Sequence, residues 1–179
     1  MRFEQGKNIY IRKITKNDCG AEWVSWINDK YITKFLVNQF WPITLSDQKK
    51  FVESSKEFGQ RALFAICLKR NDKFIGIVSL SGINWVHGFA DVAFFIGNKK
   101  FLKRNIGLEV FGLILNVAFL RFNLKNIKSV SANPLMKELH KILGFTTVGV
   151  IKKLYFINQK FYDHTIYNLT KKNWLNLKH

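Results

Sequence analysis

Proline is nearly absent, with 2 in 179 residues, and acidic side chains are scarce, with 12 against 29 lysines and arginines. Few prolines and 11 glycines beside 17 phenylalanines argue against a disordered or low-complexity chain. The 47% of hydrophobic residues suffices for one packed unit, so a single domain over 1–179 is expected. Only 2 cysteines, Cys19 and Cys67, are present, without a CxxC. The 4 histidines (His87, His140, His164, His179) lack metal-ligand spacing. A disulfide framework and a structural metal are therefore not expected. The longest apolar window, Val110 to Leu120, is interrupted by Asn116. It falls far short of the roughly 20 residues that cross a bilayer, which argues against membrane insertion. The start, Met1 to Lys7, has no secretory apolar stretch, and the cytoplasm is the expected location.

What is abundant is positive charge, +17 in total, which points to an anionic ligand or surface. The lysines are dispersed, so a lysine-rich solvated exterior explains them too.

The apolar periodicity changes along the chain. Ile9 to Ile14 reads as a strand, and Asp18 to Leu36 as one or two helices broken at Asn28-Asp29. Thr44 to Lys56 reads as a short amphipathic helix behind a Thr44–Asp47 start signal. Ala62 to Leu68, Phe74 to Ile83 and Ala90 to Ile96, joined by short polar turns, predict an antiparallel meander. Leu108, Phe111, Leu115, Ala118, Phe119 and Phe122 share one face of a helix starting near Gly107. Ile127 to Ala132 is the next strand. The helix after it has Asn133 as N-cap, Pro134 at the first helical position and Gly144 just past its end. Val148 to Ile157 and Phe161 to Leu169 predict a closing hairpin.

The chemistry is expected at Ile96 to Gly107, where a strand ends, Lys99, Lys100, Lys103 and Arg104 cluster, and a helix begins. Unpaired N–H groups, a positive helix end and mobile cations together favour a polyphosphate. No G-x-x-x-x-G-K-[ST] and no G-x-G-x-x-G is present, which argues against a P-loop nucleotidase and a dinucleotide enzyme.

This segment resembles the acetyl-coenzyme A loop of the GNAT superfamily, Q/R-x-x-G-x-G/A, with Gly107 at its last glycine, Asn105 at its first and Leu102 at the Gln or Arg. Asn133-Pro134-Leu135-Met136-Lys137-Glu138-Leu139-His140-Lys141-Ile142-Leu143-Gly144-Phe145 is similar to the family's N-x-x-S-x-x-L-Y-x-K-x-G-F. Met136 stands for its Ser and His140 for its Tyr. Trp26-Ile27-Asn28-Asp29, Ile75-Gly76 and Gln159-Lys160-Phe161-Tyr162-Asp163 resemble the ribosomal-protein-type (RimJ/RimL-like) branch, and nucleotide-amino-sugar acetyltransferases share much of that pattern.

The resemblance implies an α+β (α/β sandwich) GNAT fold, a mostly antiparallel sheet of about six to seven strands flanked by about four helices. It implies acetyl-CoA as co-substrate, without metal, bound by Phe94, Phe95, Ile96, Lys103, Arg104, Asn105, Ile106, Gly107, Leu108, Asn133 and Met136. Acetyl transfer to a primary amine needs a base, since such an amine has a pKa of about 10.4. Asp91 is the first candidate and His87 the second, while His140 would protonate the departing thiolate. Phe40, Trp41 and Trp85 could cover an acceptor. The expected partner is a small-molecule amine, among them an amino sugar on a nucleotide, or a protein N-terminus; a homodimer is left open. Alternatives of other classes are a basic nucleic-acid-binding module, which lacks any recognised motif here, and a catalytically inactive GNAT-fold module.

Overall fold

The computed structural model describes residues 1–36, 41–55 and 59–177, except for the side chain of residue 104. In chain order come β1 (Glu4–Gln5), β2 (Ile9–Lys13), α1 (Ala21–Ile27), α2 (Lys30–Thr33), α3 (Leu45–Ser54), β3 (Arg61–Leu68), β4 (Phe74–Asn84) and β5 (Phe89–Ile96). Next are α4 (Arg104–Asn116), β6 (Asn126–Ser131), α5 (Pro134–Ile142), β7 (Thr146–Ile157), β8 (Lys160–Thr170) and α6 (Lys171–Asn176). The strands form one 8-stranded sheet in the order β1-β2-β3-β4-β5-β6-β8-β7. Its neighbours are antiparallel except β5 and β6, which run parallel.

The expected α+β architecture is thus present, with more strands and helices than expected. The additions are short: β1 has 2 residues, and α6 has 6, starting where the Thr170 hydroxyl accepts the Asn173 amide. Helix α4 starts at Arg104, ahead of the expected Gly107, because apolar spacing marks only the buried face and its first two residues, Arg104 and Asn105, are polar. It runs on into a π-helical turn, Val117–Arg121. The closing hairpin turns on Asn158 and Gln159, both at positive φ (48° and 61°), so the strand resumes at Lys160.

Alternation along the strands gives the sheet two apolar faces. Ile9, Ile11, Phe64, Ile66, Val78, Leu80, Ala90, Val92 and Ile127 pack under α4 through Val110, Phe111, Ile114 and Leu115. Burying a side chain such as Phe111 is worth about 1.5–3 kcal/mol. Tyr10, Leu63, Ala65, Cys67 and Phe95 face the other way, against Trp23 and Trp26 of α1 and Val52 of α3. Both cysteines are free thiols.

Candidate active site

β5 and β6 pair only at their starts: Phe89 with Asn126, Ala90 with Ile127, Asp91 with Lys128. Beyond Asp91 they part. Val92 to Ile96 stay paired to β4, and Ser129 to Ser131 to β8. This opens a V-shaped gap lined on one side by β5 backbone that has no strand partner there among the described residues. The arms of the V lead to the starts of α4 and α5, so two positive helix ends flank its mouth. Asn133 caps α5, its Oδ1 accepting the Leu135 amide at 3.0 Å, whereas α4 has no side-chain cap.

Within the bend, Gly97 packs flat against Trp26, where a methyl group would overlap the indole. Asn98 Oδ1 accepts the Lys100 amide at 3.1 Å and shapes a 3-10 turn over Lys99–Phe101. The expected quartet of cations is divided. Lys99 pairs with Asp29 Oδ2 at 2.7 Å and lies over the Tyr31 ring, while Lys100 and Lys103 are exposed. The Arg104 side chain is outside the described residues. Asn105, aligned with the first glycine of that loop, sits with helical geometry in the first turn, because the helix has already begun. Ile106 is buried and Leu108 half-buried, both against the α4 side of the core. Gly107 lies under α5 and β5, its missing methyl 3.1 Å from Leu139 Cδ1 and 3.7 Å from Phe94 Cζ. Phe94 faces α4, edge-on to Phe111 at 5.2 Å, while Phe95 lies on the opposite face and Ile96 is buried at the strand's end.

Asp91 stands where the V closes, on the face away from α4. Its Oδ2 is 3.2 Å from Lys128 Nζ, and its side chain is 42% exposed. It is the register partner of Ser81, which is that of Arg61, so Arg61, Ser81, Asp91 and Lys128 form a row across four strands. Register depends on turn geometry and bulges, and for that reason Arg61, Ser81 and Lys128 escaped the sequence reading.

His140 corrects an expectation. It is 0% exposed, stacked on Tyr167 at 4.1 Å and edge-on to Phe111 and Phe145. The Met136 carbonyl can only accept, so Nδ1–H donates to it, and Nε2 accepts the Ser129 hydroxyl at 2.8 Å. Burial pushes its pKa down to about 4. A neutral ring with both nitrogens engaged inside the core is not placed to meet a thiolate. The cause is legible afterwards: Met136, Leu139, His140 and Leu143 share one helical stripe, so His140 belongs to the buried face. Met136 is half-buried against the same core.

His87 lies in the β4–β5 turn, exposed, its ring parallel to Phe89 at 6.4 Å. Trp85 shares that turn. It donates to the Gly59 carbonyl at 2.9 Å and packs on Phe122, tying down the sheet end away from the 97–103 bend. Trp41 is 75% exposed beside Pro42-Ile43, which Asn28 anchors to α1. Phe40 lies outside the described residues. The structure thus brings together the 94–108 bend, Asn133 and Asp91 around the V, and leaves His87 and Trp85 beyond its closed end. Among the described residues no cluster of His, Cys, Asp and Glu could hold a metal, and no helix is long and apolar enough to cross a membrane.

The GNAT acetyltransferase domain family matches residues 11–166, and the chain belongs to that family. It is therefore an acyl-CoA-dependent N-acyltransferase, with acetyl-CoA as co-substrate. No curated protein matches the sequence. The fold is similar to that of a spermidine N-acetyltransferase from Vibrio cholerae solved with CoA and spermine, at TM-score 0.85 and 19% identity, covering 94% of this chain and 98% of that one. A GNAT-family acetyltransferase from Bacillus anthracis matches at TM-score 0.77 and 16% identity, over 95% of this chain and 99% of that one. A GCN5-related N-acetyltransferase from Brucella melitensis gives 0.77 and 15%, over 98% and 81%.

Proposed function

We propose that the chain moves acetyl from acetyl-CoA to a primary amine by direct attack in a ternary complex, with Asp91 as the general base. The observation that carries this reading is the V between β5 and β6, with a carboxylate at its closed end and an uncapped, lysine-flanked helix start at its mouth. The co-substrate supplies an acetyl thioester. Lys100, Lys103 and the first amides of α4 are suited to its phosphates. The unpaired edge of β5 and the Asn133 amide group are suited to a pantetheine chain, which pairs like a strand.

Asp91 takes a proton from the acceptor's ammonium, so that the free amine attacks the thioester carbonyl. Backbone N–H groups along Phe94 to Ile96 that face the gap stabilise the oxygen on which negative charge develops. Asp91 and Ala93 face away from α4, and Ala93 is exposed, so an acceptor has open access from that side. With His140 buried, the departing thiolate is reprotonated from solvent.

The acceptor we favour is an amino sugar carried on a nucleotide. Support comes from the +17 charge and from the row around Asp91, which contains two cations and a single carboxylate. A spermidine-like acceptor, as in the Vibrio cholerae enzyme, would call for several carboxylates. A protein N-terminus, as in the RimJ/RimL-like branch, is the second reading, favoured by the open Ala93 face. The exposed β7 edge, with Val148, Ile151 and Leu154 on it, is where a homodimer would pair. The test is calorimetric titration with acetyl-CoA, then a free-thiol screen over amino sugar nucleotides, N-terminal peptides and polyamines. Micromolar binding and amine-dependent thiol release are expected. Absence of acetyl-CoA binding would overturn the reading.

A further inference from the structure

Next to Asp91, on the face away from α4, lies a cavity of about 400 Å³ lined by Ser54, Gln60, Arg61, Gly82, Asn84 and Phe89. Gly82 joins the cavity to the base. It has φ +56°, and a methyl group there would lie 3.4 Å from Asp91 Oδ2. The bulge between Ser81 and Asn84 turns this stretch of β4 aside and forms the cavity wall.

Arg61 is the one cation among the described residues of that lining. Arg2, Arg12 and Arg121 each hold a carboxylate: Asp72, Asp18 and Glu4. Arg61 has no carboxylate partner among the described residues; its guanidinium lies over the Phe51 ring, 5.2 Å from the centroid. That contact leaves its N–H donors without a hydrogen-bond acceptor among the described residues. Arg61 and Asp91 are separated by two strand spacings, about 10 Å between backbones. Ser81 is the register partner of both, while Ser54, Gln60 and Asn84 line the cavity beside Arg61.

We infer that Arg61 is the acceptor's anion anchor: the cavity takes a primary amine bearing a phosphate or carboxylate about two strand spacings from the nitrogen. The inference rests on the acetyltransferase reading above and narrows its substrate class. The anion pairs with Arg61 through charge-assisted hydrogen bonds, and the amine comes to Asp91. The same lining disfavours a polycation, since its charge at this end is positive.

The experiment compares glucosamine 6-phosphate, glucosamine and spermidine as acceptors, by thiol release, in the full chain and in its Arg61→Ala and Arg61→Lys variants. Acetyl-CoA affinity and circular dichroism verify that each variant is folded. Expected is a preference of at least about tenfold in kcat/KM for the phosphorylated over the plain sugar, lost in Arg61→Ala through KM and partly restored in Arg61→Lys. Spermidine as the best acceptor, equal use of the two sugars, or an Arg61→Ala effect equal on both would overturn the anchor while acetyl transfer stands. Acetyl-CoA binding with no turnover of any of the three also overturns it. Failure to bind acetyl-CoA removes the acetyltransferase reading as well.

Discussion

Asp91 and Lys128 are register partners in the parallel strand pair, and their side chains meet at 3.2 Å where that pair separates. The last residue of β5 to be held on both sides thus carries a carboxylate, and the next residues have a free edge. On the proposed mechanism, a base at that point would meet an amine arriving opposite the thioester carbonyl. Asp91→Asn is expected to lower kcat about 10²-fold or more near neutral pH, with acetyl-CoA affinity unchanged. The deficit should shrink as pH rises past the acceptor amine's own pKa, about 8 for a protein N-terminus, where the acceptor is already deprotonated. A pH–rate profile checks both, and one parallel to that of the unmodified enzyme would remove Asp91 from the mechanism.

His140 makes the fold acid-sensitive. Its folded pKa of about 4 lies below the ordinary 6.5, so the native state holds the neutral ring while the unfolded chain takes up a proton below 6.5. Stability from this residue is complete above that value and declines as pH falls toward 4, by on the order of 3 kcal/mol in all. His140→Phe keeps the aromatic stack on Tyr167 and removes the titration. Its urea midpoint should fall less between pH 6.5 and 4 than that of the unmodified chain, with turnover retained at neutral pH. Turnover abolished in a folded His140→Phe enzyme would restore the histidine to the chemistry.

Much of this architecture is legible in the residues themselves. The capping pair Thr44–Asp47, the Asn133-Pro134 start and the Gly144 stop all appear as local chemistry, and the structure has Thr44 Oγ1 bonded to Asp47 and Gly144 at φ +75°. What a linear reading misses is what depends on register. Nothing in the sequence around Arg61 indicates that two strand pairings align it with Asp91. The sequence likewise does not reveal that Lys99 belongs to Asp29, 70 positions away, because that ion pair exists only once α1 packs Trp26 onto Gly97. His140 differs for another reason: a histidine in a helix reads as available for proton transfer until the Met136 carbonyl and the Ser129 hydroxyl are seen to occupy both ring nitrogens.

Glu109 of α4 reaches the sheet's other end, accepting the Asn8 amide at 2.7 Å, the Ile9 amide at 3.0 Å and the Asn8 side-chain amide at 2.9 Å. Glu109→Ala leaves these donors at the β1–β2 turn without their acceptor. A loss of about 1–3 kcal/mol is expected in urea unfolding, because bonds to a charged acceptor exceed neutral ones. Glu109→Gln should recover part of it. Acetyl-CoA affinity, measured on the folded protein, should not move.

The lysines at the bend divide by what already holds them. Lys99 is engaged with Asp29 and Tyr31, so Lys99→Ala should disturb α2 more than it weakens acetyl-CoA. Lys100 and Lys103 are exposed at the uncapped start of α4. Neutralising both is expected to weaken acetyl-CoA binding by about tenfold at low salt, a change of about 1.4 kcal/mol. At 1 M salt the screening length falls to about 3 Å, and the difference between the variant and the unmodified protein should nearly vanish. Calorimetry at the two salt concentrations separates this from a structural defect, which salt would not erase. A double variant that binds as tightly as the parent at low salt would move the phosphates away from this bend.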